Sequence, residues 1–317
     1  MQPHSSIEIV ADIGGTNARF AWLDAGGSTL HDLSRLLCVD YARPLDAIRH
    51  YLAGIPAQRS ISRICLAVAG PIETEWIDLP NNHWAFSRSE LERELGCRVA
   101  VINDFSAQLL SVPGLQDNEV EWLGTARPLP GLVIAALGPG TGLGVAGLTV
   151  GGEIIPSEGG HLAFAPVDAH EIALLQQLWQ QYPRVSVERI LSGPGLSALY
   201  HANAALAGQD HHLTAEAVST AARRGDALCR QSIDDFIAIL GSVAGEVAIA
   251  LGARGGIWLA GGILPKLDGL YDKALLRERF NAKGRFTQYC SDIPLALVRA
   301  DHTGLRGCVH ALRHGYA

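Results

Sequence analysis

Along the first hundred residues, short apolar runs alternate with a polar, helix-like pattern. "IEIVADI" (7–13) is rich in β-branched residues, and "ARFAWLD" (18–24) resumes it after a glycine turn, so the pair predicts a β-hairpin. "RICLAVAG" (63–70) and "RVAVIND" (98–104) read as buried strands, the second with polar residues at its C-terminal end. Between them "SRSELERELG" (87–96) predicts a helix, with Ser87 and Glu90 as a capping box and Gly96 at the C-terminal stop. A second block, "LVIAALGPGTGLGVAGLTVGGEII" (132–155), repeats the opening order of apolar strand, Gly/Thr turn and apolar strand. Downstream the period lengthens to that of helices, over 170–182, 192–206 and Asp226 to Leu251. In the last of these, Cys229, Ile233, Phe236, Leu240, Val243, Val247 and Ala250 recur at steps of four and three. "GGIWLAGGI" (255–263) is a strand ending in a glycine pair.

At 317 residues the chain is long enough for two domains. No low-complexity linker divides the blocks, so a boundary is expected as a compact hinge near residues 105–130. Hydrophobic content of 48% and charged content of 18% describe an ordinary folded protein. Glycine is the outlier: 35 of 317 residues is about 11%, against a typical ~7%, which implies tight turns or close approach of backbone to a ligand. A net charge of −7 with no Lys/Arg cluster argues against a nucleic-acid partner. The six cysteines are scattered, with no Cys/His cluster at zinc spacing, and read as mostly buried, reduced thiols. The start carries no leader-like pattern and no run reaches about 18 apolar residues, so a cytoplasmic protein with no membrane partner is expected.

The stretch from Gly142 to Gly147 matches GxGxxG, but another strand pattern follows it instead of a helix, so the dinucleotide-fold context is missing. A GxxxxGK[ST] phosphate loop is also absent. What remains is one Gly/Thr-tipped hairpin in each half, plus the later glycine pair. Two such tips facing across a cleft can grip a polyphosphate with backbone N–H groups and threonine hydroxyls. Asp12, two residues before Gly14, would repel phosphate unless a divalent cation stands between them. The second tip has no such acid.

"ADIGGTNARF", "INDF", "GPGTGLG", "EGGH", "ERILSGPG" and "LAGGI" resemble the signature segments of bacterial glucokinases, in family order and over nearly the whole chain. The group with a cysteine-rich zinc motif is not the one resembled. The resemblance implies an α/β fold of two domains with a duplicated ribonuclease-H-like, actin-like ATPase core and the ligand cleft between them. Residues 1–112 plus 304–317 would form the small domain and 113–303 the large one, with helical insertions. It implies ATP and Mg²⁺ as cofactors and D-glucose as substrate, phosphorylated at its 6-hydroxyl in the first step of glycolysis, by a homodimer. Ala11, Asp12, Ile13, Gly14, Gly15 and Thr16 with Gly140, Thr141 and Gly142 would hold the phosphates, Asp12 also serving the metal indirectly. Gly261 and Gly262 would lie near the adenosine. Pro139 departs from the small residue common at its position and stiffens the second loop.

By the same resemblance Asn103, Asp104, Glu158, His161 and Glu188 bind the hexose, with Asp104 as the catalytic base. Taken alone, Asn103-Asp104 before a helix reads more often as a cap, although a carboxylate ending a buried strand is well placed to line a crevice. Glu158 and His161 stand three apart across two glycines, a turn that lets both side chains face one ligand. Metal ligation by that pair is the rival, but no further ligands lie at suitable spacing. Glu188 follows Ser186, read as the cap of a short helix. "LPNNHWAFS" (79–87) is expected to flank the sugar, and the remaining histidines, His211 and His212 included, are read as having no role. The alternatives are a kinase for mannose, fructose or an amino sugar, or a non-catalytic sugar- and ATP-sensing protein on the same fold.

Overall fold

Side chains alternate across a strand, so Ile7, Ile9, Ala11 and Ile13 share one face of β1 (Ser6–Ile13) and Glu8, Val10 and Asp12 the other. Both faces are covered. In the computed structural model, which describes residues 6–56 and 59–316, β1 is the middle of a five-stranded sheet. It pairs antiparallel with β2 (Asn17–Asp24), which pairs with β3 (His31–Leu37); on its other side β4 (Ser60–Val68) and β7 (Arg98–Asn103) run parallel to it. A small hairpin, β5 (Trp76–Asp78) and β6 (Ala85–Ser87), precedes the helix Arg88–Leu95. The isoleucine face of β1 forms a core with Phe20, Ile64, Leu66 and the helix Pro44–Ala53 through Ile48 and Tyr51. On the opposite face Glu8, 1% exposed, is ion-paired with Arg63 of β4 and Arg313 of the helix Thr303–His314.

That helix packs on the helix Asp104–Ser111 at very close range. A Cβ added at Gly307 would lie 1.7 Å from the Ala107 carbonyl oxygen, and the obstacle is backbone. Gly307→Ala is therefore expected to cost about 3 kcal/mol or more, at the upper end of overpacking effects, read as a drop in the denaturation midpoint. An unchanged midpoint would show that the two helices separate easily.

Residues up to Leu115 and from Ala300 onward form one compact unit, and Gln116–Arg299 forms a second. The second unit carries β8 (Val120–Trp122), β9 (Ile134–Pro139), β10 (Leu143–Leu148), β11 (Ile154–Ile155), β12 (Gly256–Leu259) and β13 (Leu295–Val298). Its sheet order is β11-β10-β9-β12-β13-β8, against β3-β2-β1-β4-β7 in the first. In each, a central strand has two successive antiparallel neighbours on one side and two parallel ones on the other; the second adds β8, antiparallel, at the edge. The repeat visible as two glycine hairpins thus extends to whole sheets.

The spine of the second core is the helix Ala227–Leu251, capped by Asp226 through the Cys229 N–H and ended by Gly252 at φ 59°. Its buried stripe includes the residues expected from the four-three spacing, apart from Ala250. Ser192 caps the helix Gly193–Leu206. The helix expected over 170–182 is Ala169–Leu178, four residues short at its end: the chain tightens into turns ahead of Pro183, whose ring disfavours helical backbone in the residue before it. Ser87 accepts from the Glu90 N–H and Gly96 is left-handed at φ 66°, as expected, but Glu75 takes the Ser87 hydroxyl and the Ser89 N–H in place of the reciprocal capping bond. All six cysteines are free, and no helix among the described residues is long and apolar enough to cross a membrane.

Candidate functional site

In the first unit β1, β4 and β7 run parallel and end at one edge: Asp12 is level with Ala67, Ala67 with Ile102, and Val68 with Asn103. The carboxyl edge of such a sheet is where α/β folds bind ligands. Asp12 meets Arg19 across the hairpin, Oδ2 to Nη1 at 3.2 Å, and its carboxyl packs against the first turn of the helix Thr303–His314. A Cβ at Gly304 would come 2.7 Å from Asp12 Cγ, so only glycine admits this approach. Burial raises the Asp12 pKa against the opposing pull of Arg19 and His302. Asp104 is the first residue of the helix Asp104–Ser111, and its Oδ1 accepts from the Phe105 N–H at 2.7 Å. Burial pushes Asp104 up to about 6, and the charge of Asp12 adds to the rise.

Asn103 is the cap of that helix: its Oδ1 accepts from the N–H groups of Phe105 (2.9 Å) and Ser106 (3.1 Å). The cap reading therefore holds for the Asn103 oxygen, and its amide N–H₂ is the part suited to a ligand. The carboxylates of Asp12 and Asp104 bear on one another at one sheet edge. Hard oxygen donors of this kind fit Mg²⁺, which keeps most of its waters and takes one or two carboxylates.

The turn after β1 is closed by the Gly14 N–H donating to the Asn17 carbonyl at 2.9 Å. Asn82 Nδ2 donates to the Gly14 carbonyl at 3.0 Å, and a Cβ on Gly15 would meet the Asn81 carbonyl oxygen at 2.6 Å. The segment 79–84 thus buttresses this turn, a role its sequence did not disclose. Gly15 and Thr16 are exposed at the tip. Ala11 and Ile13, assigned with them to the nucleotide from the sequence, are fully buried and paired into the sheet ladder, so they hold the turn from below.

In the second unit Gly140, Thr141 and Gly142 form the β9–β10 tip, closed by Gly140 N–H to Gly142 carbonyl at 2.8 Å. The Gly193 N–H donates to the Gly140 carbonyl, also at 2.8 Å. Glu188 Oε2 accepts from the Leu143 N–H at 2.9 Å, and a Cβ on Gly142 would displace that carboxylate. Glu188 therefore commits one oxygen to the hairpin. Ser186 makes no side-chain cap; its backbone instead bridges to Ala163, which draws the turn of Glu188 alongside the turn of His161. Glu158 Oε2 and His161 Nε2 stand 3.8 Å apart, both exposed. The two glycines between them lie flat on β10, where a Cβ on Gly160 would come 2.4 Å from the Leu143 carbonyl oxygen. Gly261, at φ 87°, fits against Pro139 and Gly138 at the end of β9, and Gly262 opens to free space beside it.

Of the groups not foreseen, Arg19 was readable: a four-residue turn at 14–17 sets it opposite Asp12. Gly304 was not, because nearly the whole chain separates it from Asp12 in sequence.

A family model described as Glucokinase matches residues 9–315. The chain is 45% identical over 311 residues to a glucokinase of Chromohalobacter salexigens, covering 96% of this chain and 97% of that one. It is similar to the crystal structure of a glucokinase from an Antarctic psychrotroph, with a TM-score of 0.87 and 37% identity over 97% of this chain and 98% of that one. It is also similar to the crystal structure of a Balamuthia mandrillaris glucokinase in complex with glucose, with a TM-score of 0.79 and 25% identity over 98% and 94%.

Proposed function

This chain belongs to the glucokinase family, and from that premise we propose how its residues divide the phosphorylation of glucose. The protein is an ATP-dependent glucose kinase, giving glucose 6-phosphate and ADP. Asp104 accepts the proton of the sugar 6-hydroxyl as that oxygen attacks the γ-phosphate in line. The observation that carries this reading is a carboxylate raised to about 6 by burial at the carboxyl edge of a parallel sheet. A base poised near working pH is ionised yet more basic than an ordinary aspartate, and such assistance is worth about 10²–10⁴-fold.

At the tips Gly14–Thr16 and Gly140–Gly142 the Gly14 and Gly140 N–H groups close the turns, which leaves the other backbone N–H groups and the threonine hydroxyls for the phosphates, and Gly261-Gly262 leaves room for the adenosine. Mg²⁺ would be held through Asp12 by way of a water; when bound it neutralises charge on the phosphates. The amide of Asn103, with Glu158, His161 and the remaining oxygen of Glu188, reads sugar hydroxyls, each of which both donates and accepts. The matching order of the two sheets supports a duplicated ribonuclease-H-like, actin-like core. On the family resemblance alone, the enzyme works in the cytoplasm as a homodimer at the first step of glycolysis.

A coupled assay of sugar-phosphate formation against a panel of hexoses tests the substrate. Glucose is expected to give the highest kcat/KM. A higher value for mannose, fructose or an amino sugar would reassign the substrate, and no product with any sugar would leave only a sensing role.

A further inference from the structure

The helix Gly193–Leu206 ends in a turn that carries the chain back along its own side. Gly208 takes φ 73°, with the Gln209 N–H donating to the Ala204 carbonyl (2.8 Å) and the Gly208 N–H to that of Ala205 (3.0 Å). These are the paired bonds of a Schellman motif. Two side chains one helical turn apart then hold the returning segment: the Ser197 hydroxyl donates to the Leu213 carbonyl, and His201 Nδ1 to the His211 carbonyl at 3.3 Å. His212 is thereby stacked on His201, ring centroids 3.6 Å apart and planes 19° from parallel. Asp210 Oδ1 lies 3.7 Å from His212 Nε2. One ligand atom from each of His201, Asp210 and His212 falls within 4.8 Å of the others.

We propose that His201, Asp210 and His212 form a surface site for a divalent transition metal of the zinc type. A carbonyl oxygen only accepts, so Nδ1 of His201 carries the hydrogen and Nε2 presents its lone pair. A backbone carbonyl on the second ring nitrogen is the usual support of a metal-bound histidine. Two imidazoles and one carboxylate suit Zn²⁺ and not Mg²⁺ or Ca²⁺, and three protein ligands leave a fourth position for water. Bonds of about 2.0–2.1 Å need donors closer together than they stand here, and rotation of the exposed Asp210 and His212 side chains supplies the difference while the anchored backbone stays in place. The metal would tie the loop to the helix and bind the folded state alone, so it would stabilise the protein. The site shares no residue with the proposed sugar and nucleotide set.

The test is calorimetric titration of the full-length protein with Zn²⁺, comparing the unmodified protein with His201→Ala/His212→Ala and with Asp210→Asn. The unmodified protein is expected to bind a single equivalent, with affinity reduced by at least about tenfold in Asp210→Asn and abolished in the double variant. Zn²⁺ is expected to raise the melting temperature of the unmodified protein and not that of the double variant, while Mg²⁺ at equal concentration raises neither through this site. Without zinc, both variants should match the unmodified protein in glucose phosphorylation, and the double variant, which loses the His201 bond to the His211 carbonyl, should melt slightly lower while Asp210→Asn melts as the unmodified protein does. Equal zinc binding by all three proteins would assign the metal to other groups, such as the cysteines, and overturn the proposal. No binding by the unmodified protein would overturn it as well.

Discussion

Asp104→Asn is expected to lower kcat by about 10²–10⁴-fold while glucose affinity stays within about tenfold, since the lost group acts mainly in the transition state. The same change should make the protein more stable. The Asp104 carboxyl titrates near 6 in the fold against a usual value of 3.8, so its contribution to stability is full below about 3.8 and is lost as pH rises through 6. The difference of about 2 units corresponds to up to about 3 kcal/mol. Asparagine carries no charge to bury and can keep the oxygen that accepts from the Phe105 N–H. Denaturation midpoints should therefore rise at pH 8 and be unchanged near pH 4. Turnover close to that of the unmodified enzyme would remove Asp104 as the base. A loss of stability at pH 8 would mean that its burial is not what raises the carboxyl.

Asp12→Ala is expected to lower kcat/KM by about 10²-fold or more, because a positioned electrostatic group at the phosphates is removed. Half-maximal activity should then need a higher Mg²⁺ concentration. The fold should survive, since the partner left behind, Arg19, is partly exposed and can be solvated, and the space beside Gly304 opens instead of closing. Circular dichroism checks the fold, and a Mg²⁺ titration checks the role. The proposal also predicts an effect on the neighbouring base: without the charge of Asp12, one cause of the raised Asp104 pKa is gone, so the acid limb of residual activity moves to lower pH. An unchanged Mg²⁺ titration would take Asp12 out of the metal site.

Much of the architecture was legible because local and global preferences agree. The apolar runs at 7–13, 63–70 and 98–104 became β1, β4 and β7, Ser87 caps the helix it was expected to cap, and the helices expected from Asp226 and over 192–206 form where the pattern put them. The two glycine hairpins showed the repeat, although hydrogen-bond register was needed to see it extend to both sheets. One reading went astray where a neighbour distant in sequence decides the outcome. Ser186 looks like a cap, but its backbone is taken by Ala163. Ala11 and Ile13 share a motif with Asp12, and strand alternation puts their side chains in the core, so they support the turn from below. The stacking of His201 on His212 was not legible either, because a glycine-ended helix has first to fold the chain back before the two rings meet. The segment 79–87, expected beside the sugar, also props the first glycine turn through Asn81 and Asn82, a role its sequence did not disclose.

The central claim is that a carboxylate held protonated longer than usual by burial serves as the base. Its most direct test is the pH dependence of kcat/KM with both substrates below saturation, which reports the free enzyme. Protonated Asp104 cannot accept the hydroxyl proton, so the rate should fall tenfold per pH unit on the acid side, with an apparent pKa of about 6. A rate that stays level down to pH 5, in a protein still folded there, would contradict it.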